Sequence, residues 1–584
     1  MRNAEIAAAF DELGDLYELD GAVVYRVVAY RNAAKAIRDS AASVEELART
    51  GRAAELPGIG RTIAEKIDAL LETGSIPAAE KLKAKFPAGL VEITHIPGLG
   101  PKRARKLHDE LGIGSLEELR RAAERHQLRG VPGFGAKFEE NVLTALAAGA
   151  DGRPKPRTLL SRALAIAEEL AGELRQHPAS DRVEIAGSAR RMTETCKDLD
   201  LVATASDAAA LAAAFSELPL LDEVHSSGAA GVRALTNNGL SVDLRIVPPE
   251  NFGNLLQHFT GSKKHNEALR TEAVRRGLHV SEYGVTDDAT DTTRACATEE
   301  QVYELLGMQY IEPELRENRG ELEAARKGKL PTLVRVGDIR GDLHCHTTAS
   351  DGRNSIEQMA EAALARGYEY LAITDHSASH GFGNDVQPHE LLRHAARARE
   401  IDAALDGIKL LAGSEVNVLP DGGLDYADEI LEQLDWVVAS IHTSFRMSEE
   451  EMTARMIRAM EHPLVDVIGH PTGRMLERRE GYALDIEAVV EAAVRTGTFL
   501  EINANPNRRD LTETNARLAA EAGALLLIDS DAHGTETLVN MRYGVATARR
   551  GWVEAERVAN TRSWAELDRL RKRGSRIADR GSRG

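Results

Sequence analysis

GDLHCHTTASDG, residues 341–352, sets His344 and His346 one residue apart on an extended run and follows them with Asp351. Alternate residues of a strand share a face, so both imidazoles point one way and Cys345 the other. The pattern recurs outward along the chain. YLAI (370–373) runs into Asp375 and His376, IKLLA (408–412) into Glu415, LDWVVA (434–439) into His442, VDVI (465–468) into His470, and ALLLI (524–528) into Asp531 and His533. Each apolar run reads as a buried parallel strand with a helical segment between it and the next. Each donor falls at the C-terminal end of its strand, where α/β folds build their sites. Histidine and carboxylate donors suit Zn, Mn or Fe and leave positions open for substrate. A lone histidine is more often structural, but nine donors at successive strand ends exceed one ion's needs and predict two or three ions. Clustered ions of that kind clamp phosphate esters and supply hydroxide at neutral pH, so hydrolysis of a phosphodiester or phosphomonoester is expected.

Residues from about 341 to about 573 resemble the PHP domain, the polymerase-and-histidinol-phosphatase family, motif by motif through all nine positions. The resemblance implies a distorted (βα)7 barrel with a trinuclear site. It groups His344, His346, Glu415 and Asp531 on one ion, has Glu415 bridge to a second held with His442 and His470, and gives the third to Asp351, His376 and His533. Asp375 is then either an orienting carboxylate behind the ligands or an ordinary turn carboxylate.

The 584 residues predict three or four domains. No apolar run approaches the roughly 18 residues of a membrane span. The opening MRNAEIAAAFDELGDL reads as an amphipathic acidic helix, not a signal peptide. Cys196, Cys296 and Cys345 make no framework, which fits a reducing compartment. The net charge of −19 argues against tight nonspecific DNA binding. However, −12 of it lies in residues 338–584 among the metal donors, while residues 1–150 carry only −1 and hold local basic clusters such as Lys102, Arg103, Arg105 and Lys106.

The first third repeats one device: LPGIGRTIAEKI from Leu56, IPGLGPKRARKL from Ile96 and VPGFGAKFEENV from Val131. Glycine permits the tight turn, and the helix that follows presents free N–H groups. Together they form an anion site for a DNA phosphate that carries no sequence information. The expected contacts are Gly58, Gly60, Gly98, Gly100, Gly133 and Gly135. The repeats resemble helix-hairpin-helix motifs, although the third reads as readily as a structural turn.

After the linker GRPKPR come a helix, SRALAIAEELAGELRQ, and a strand, RVEIAGSARR. In ETCKDLDLVAT, Asp198 and Asp200 share a strand face while Leu199 and Leu201 face the core. Asp243 lies on the second strand of a hairpin, GVRAL–TNNG–LSVDLRIV. Three carboxylates on neighbouring strands repel one another unless cations stand between them. Two Mg2+ or Mn2+ would resolve the repulsion and drive in-line phosphoryl transfer.

The GSARR…DLD pattern resembles the nucleotidyltransferase superfamily, and residues 1–320 resemble the DNA polymerase X family. That resemblance implies catalysis by Asp198, Asp200 and Asp243, a triphosphate cradled by Gly187 and Ser188 and bound by Arg191, and a sugar-and-base pocket from Phe259, Gly261 and Asn266 in FTGSKKHN. SEYG, with Glu282 and Tyr283, matches the thumb hairpin. His258 joins the nucleotide set at the family's steric-gate tyrosine position. Lys263 stands at an acidic position, and Ser241 replaces an arginine two residues before the third aspartate. LPGIGRTIAEKIDALLETG resembles the small lyase domain of these polymerases and implies Lys66 as a Schiff-base amine. Arg26 and Arg31 keep basic positions there, whereas Asn32 and Thr62 replace lysines. A solvated helix lysine is the alternative reading of Lys66.

In order and content the chain resembles bacterial members of the polymerase X family that end in a PHP domain. The resemblance implies a multidomain α+β and α/β protein. Its parts are a lyase-like helical domain (1–82), a fingers-like helical domain (83–150), a nucleotidyltransferase palm (151–248), a thumb (249–320), a linker (321–338), the PHP barrel (339–575) and a disordered tail, RGSRIADRGSRG. The expected protein is a monomeric, cytoplasmic, nucleoid-associated repair enzyme acting on gapped DNA or DNA 3′ ends, with no membrane partner. It adds dNTPs using two Mg2+ or Mn2+. It removes 3′ nucleotides or blocked 3′ ends with two or three Mn2+, Zn2+ or Fe2+, and has a 5′-deoxyribose-phosphate lyase if Lys66 is its amine. The alternatives are a small-molecule phosphoesterase fused to DNA-binding domains and a non-catalytic DNA-end scaffold.

Overall fold

The computed structural model describes residues 1–147, 157–381 and 385–572, except Ala41, Pro57, His95, Pro97 and Gly98. Gly98, most of the GRPKPR linker and the whole tail RGSRIADRGSRG therefore lie outside the described residues. The chain forms two compact units, residues 1–189 with 195–259, and residues 190–194 with 260–584.

The first unit begins with helices. Asn3–Leu19 and Val24–Asp39 pack on each other, and Arg61–Thr73, Pro101–Leu111 and Ala136–Ala147 each follow a glycine turn. Phe10, Leu13, Ile37, Ile67 and Leu107 close one core beneath them. The palm has a two-stranded ribbon of β1 (Thr158–Leu159) and β3 (Thr195–Cys196). Its main sheet contains β2 (Ser180–Ile185), β4 (Asp198–Ala205), β5 (Leu221–Gly228), β6 (Gly231–Thr236) and β7 (Ser241–Ile246). The order is β2-β4-β7-β6-β5, with β4 and β7 parallel and the other pairs antiparallel. Leu199, Leu201, Val242 and Leu244 are buried while Asp198, Asp200 and Asp243 alternate with them on the partly open face.

The second unit opens with an antiparallel meander, β8 (Leu278–Ser281), β9 (Gly284–Asp287) and β10 (Thr292–Arg294), and Glu282 and Tyr283 form its first turn. Arg316 is fully buried and held 2.6 Å from Glu299, which also binds Arg190. Burial alone would raise the Glu299 carboxyl, but Arg316 and Arg190 outweigh it and hold the group down at about 2.

Seven parallel strands follow in sequential order: β11 (Gly341–Cys345), β12 (Tyr370–Ile373), β13 (Lys409–Asn417), β14 (Trp436–Ser440), β15 (Val467–Ile468), β16 (Phe499–Asn503) and β17 (Leu526–Asp529). A single parallel bridge between Cys345 and Ala532, with the His346 N–H donating to Ala532 O at 2.8 Å, brings the two edges together into a nearly closed barrel. One face of each strand meets the outer helices through residues such as Leu371, Val437, Ile502 and Ile528. The inner face starts apolar, with Tyr370, Leu411, Trp436, Phe499 and Leu527 packed around Trp564 and Leu567. Farther along the same faces the side chains turn polar, and that change of character places the site at the C-terminal ends of the strands. Among the described residues no helix is long and apolar enough to cross a membrane.

Candidate active sites

All nine expected donors meet at this end of the barrel. Glu415, at the end of β13 and buried, lies within 3.7 Å of five imidazoles. It is 2.8 Å from His376 Nδ1, 2.9 Å from His470 Nε2, 3.2 Å from His442 Nε2, 3.4 Å from His344 Nε2 and 3.7 Å from His346 Nε2. Asp531 is 3.2 Å from His346 Nε2 and 3.8 Å from His344 Nε2. Asp351 is 3.3 Å from His533 Nε2 and 3.6 Å from His376 Nε2. Three donor groups result: His344, His346 and Asp531; His376, Glu415 and His442; and His346, Asp351, His376 and His533. His346 and His376 are each shared between two groups, a finer pattern than the one the sequence implied. His470 and Asp531 adopt positive φ, 30° and 52°, so backbone strain is held at two donor positions.

The donor set fits divalent cations. His344 Nε2 and both ring nitrogens of His346 and His442 are buried without a hydrogen bond, which is costly for polar atoms unless a cation takes their lone pairs. Burial, reinforced by His533 and His376, pushes His346 down to about 4. Burial likewise pushes His442 down to about 4, with Glu415 only partly offsetting it. Glu415 stays well below the usual carboxylate range, because His442, His344 and His376 outweigh its burial. Burial also lowers His344, His376 and His533, but there it is outweighed: Glu501 and Glu415 raise His344, Glu415 raises His376, and Asp351 holds His533 up at about 9, so a cation bound by these three takes the place of protons.

Two carboxylates behind the donors are structural partners. Asp375 touches no donor imidazole by hydrogen bond. It accepts from the Thr347 N–H and Oγ1, both at 2.7 Å, from Ser350 Oγ, and pairs with His394 Nε2 at 2.8 Å. It thus braces the loop that carries Asp351, joining both sequence readings. Glu501 was not singled out in the sequence. It lies on β16, two residues after Phe499 on the same inner face, and its Oε1 is 2.6 Å from His344 Nδ1. Its other oxygen accepts from the His470 N–H and from Asn503 Nδ2. The contact makes Nδ1 the donor and leaves His344 Nε2 facing Glu415. Alternation counted from Phe499 was the available signal. Glu501→Gln is expected to weaken Mn2+ binding by about 10- to 100-fold, read by competition with a fluorescent chelator. Unchanged affinity would remove Glu501 from this role.

The polymerase carboxylates sit as the sequence implied. Asp200 on β4 is the direct cross-strand partner of Asp243 on β7, and Asp198 shares the Asp200 face. Asp243 is ion-paired with Arg233 at 3.1 Å and Arg245 at 3.0 Å, the neighbours available to one carboxylate set beside another. Gly187 has φ +63°, and a Cβ there would collide with the Asp200 carboxylate, so the Gly187–Ser188 turn lies directly against this site. His258 and Phe259 are half-buried, with the Arg245 guanidinium 5.6 Å from the Phe259 ring. In the second unit, Arg191 pairs with Glu317 at 3.1 Å and donates to Thr260 O, next to Gly261, which has φ +69°. Asn266 lies in the helix Lys263–Val274 just beyond.

In the helical region Lys66 Nζ is 5.9 Å above the Tyr30 ring, which stacks on Tyr17 at 5.3 Å. Arg26 lies over Tyr17, while Arg31 is engaged by Asp15 and Glu18. Gly60 and Gly100 cap the helices Arg61–Thr73 and Pro101–Leu111, and Gly135 precedes Ala136–Ala147. Gly58 and Gly133 take positive φ, 81° and 91°. A Cβ at Gly58, Gly60, Gly100, Gly133 or Gly135 meets nothing within 4 Å, so internal packing does not demand glycine there. At Gly58 and Gly133 the left-handed backbone itself calls for glycine.

Comparison with known families agrees with this layout. A helix-hairpin-helix domain matches residues 1–76, a SAM-like helix-hairpin-helix tandem 90–148, the DNA polymerase beta thumb 255–317 and the PHP domain 342–505. The DNA polymerase/3′-5′ exonuclease PolX of Bacillus subtilis is 38% identical over 575 residues, 98% of this chain and 100% of that protein. A probable phosphatase of Acetivibrio thermocellus is 35% identical over 201 residues, 33% of this chain and 78% of the phosphatase. A probable phosphatase of Shewanella sediminis is 32% identical over 248 residues, 41% of this chain and 96% of its own length.

Proposed function

The chain belongs to the family of DNA polymerase/3′-5′ exonuclease PolX proteins, and on that premise we propose that one centre in each unit runs each of its two chemistries. The observation that carries the nuclease reading is Glu415, one carboxylate with five imidazoles around it at the C-terminal ends of the barrel strands. His344, His346 and Asp531 hold one cation, Glu415 reaches a second with His442 and His470, and Asp351, His376 and His533 hold the third. Bound there, Mn2+, Zn2+ or Fe2+ supply Lewis-acid activation of the 3′-terminal phosphodiester and of water. The protein's part is to keep His346 and His442 neutral, orient His344 through Glu501, and brace the Asp351 loop through Asp375.

In the first unit Asp198, Asp200 and Asp243 hold two Mg2+ or Mn2+, which activate the primer 3′-hydroxyl and neutralise the triphosphate. Arg233 and Arg245 balance the Asp243 charge in the fold, and Asp243 would take up a cation in exchange for these pairs. Gly187 and Ser188 cradle the triphosphate. Phe259 receives the sugar and base, with His258 at the sugar-discriminating position. Gly58, Gly60, Gly100 and Gly133 with Gly135 hold DNA phosphates, with Gly98 assigned the same role from sequence alone. The protein works as a cytoplasmic gap-filling and 3′-end-processing enzyme at the chromosome. Hydrolysis of 3′-recessed DNA compared with that of histidinol phosphate tests the nuclease reading. Preference for the second substrate would favour the alternative of a small-molecule phosphoesterase fused to DNA-binding domains.

Lys66 is proposed as a lyase amine, with Tyr30 shielding it on one side. Borohydride is expected to trap the wild-type chain on a 5′-deoxyribose-phosphate end and to trap Lys66→Ala not at all. Equal trapping of the two would move the activity to another amine.

A further inference from the structure

The rim beside the donor cluster carries a basic and aromatic surface that metal binding does not require. The segment after His470 and the loop after β16 are tied together, with the Leu476 N–H donating to Asn507 O at 2.7 Å and the Thr472 N–H to the Asp510 carboxylate at 3.0 Å. Arg479 is exposed. Its guanidinium lies 4.0 Å from the Phe445 ring centroid and donates to Gly473 O at 2.7 Å. Phe445 stacks with Tyr482 at 6.2 Å and 11°, and the Tyr482 hydroxyl donates to Pro471 O at 2.9 Å. Arg508 reaches the cluster itself, 3.5 Å from Asp531 Oδ2. A crevice of about 530 Å3 runs along residues 474–481. Partial burial, and then the nearby charge of Arg508, lower the proton affinity of Arg479, so two guanidinium groups sit within each other's field. An anion between them would relieve that repulsion.

Cations that follow a phosphate backbone make up the surface that binds a single nucleic-acid strand, and the Phe445 ring packed under Arg479 holds that guanidinium in place. We infer that Arg479, braced by Phe445 and Tyr482, and Arg508 bind the phosphates of the last nucleotides of a single-stranded DNA 3′ end and feed it to the cation cluster. The inference rests on the nuclease reading of that cluster.

The test uses the full chain with Mn2+ and two variants. Arg479→Gln keeps a donor for Gly473 O, and Phe445→Ala removes the ring. The readout is the ratio of kcat/KM on a 5′-labelled single-stranded oligonucleotide to kcat/KM on bis-p-nitrophenyl phosphate, which is too small to span the rim. Each variant is expected to lower that ratio about tenfold, through KM for the oligonucleotide, and Arg479→Gln to flatten its salt dependence. A ratio within about twofold of wild type in both variants overturns the proposal. A wild-type enzyme that cleaves the small ester but no oligonucleotide would instead overturn the nuclease reading beneath it.

Discussion

Replacing Asp200 by alanine is expected to slow dNTP insertion into a one-nucleotide gap by at least about a thousandfold while 3′ degradation proceeds. Asp200 is the cross-strand partner of Asp243, and it also backs the Gly187 turn. Its loss would remove one of the three carboxylates proposed to hold the cations and open space under the Gly187 turn at once. Single-turnover insertion kinetics measure the effect. Insertion within about tenfold of wild type would show that this carboxylate does not carry the chemistry.

The double variant His344→Ala, His346→Ala is expected to lose 3′ degradation by at least about a thousandfold and to keep primer extension. Both imidazoles are fully enclosed, and between them they contact Glu415, Asp531 and Asp351. Without them two of the three donor groups are broken. Imidazole-rich sites prefer Mn2+, Fe2+ and Zn2+ to Mg2+, so wild-type degradation is expected to run far faster with Mn2+ than with Mg2+. Time courses on a 5′-labelled recessed duplex without dNTPs give both comparisons. Degradation that survives the double substitution would place the nuclease elsewhere.

Six of the nine donors were legible because each follows a short apolar run, and a parallel strand delivers its last inward residue to the same end of the sheet; His344 and His346 were legible from their alternation along one strand, with Asp351 following in the same segment. Their grouping was less so. His346 and His376 each serve two groups because the barrel's curvature brings non-adjacent strands together, which spacing along the chain does not encode. Glu501 was missed because it lies inside an apolar strand, FLEIN, rather than after one. Counting alternate residues from Phe499 would have placed it on the inner face, where it meets His344. In the palm, strand alternation located all three aspartates, but their contacts with Arg233 and Arg245 depend on the β6–β7 register. GSARR reads as a single motif in sequence. In the fold, Gly187 and Ser188 belong to the first unit, whereas Arg190 and Arg191 are anchored to Glu299 and Glu317 in the second.

The central claim is that two centres on one chain work independently. It is tested most directly by measuring extension and degradation of one labelled gapped duplex in the same Mn2+ buffer for wild type, Asp200→Ala and the His344→Ala, His346→Ala double variant. The account predicts that wild type does both, that Asp200→Ala only degrades, and that the double variant only extends, with each retained rate within about threefold of wild type. Both activities falling together in either variant would contradict it.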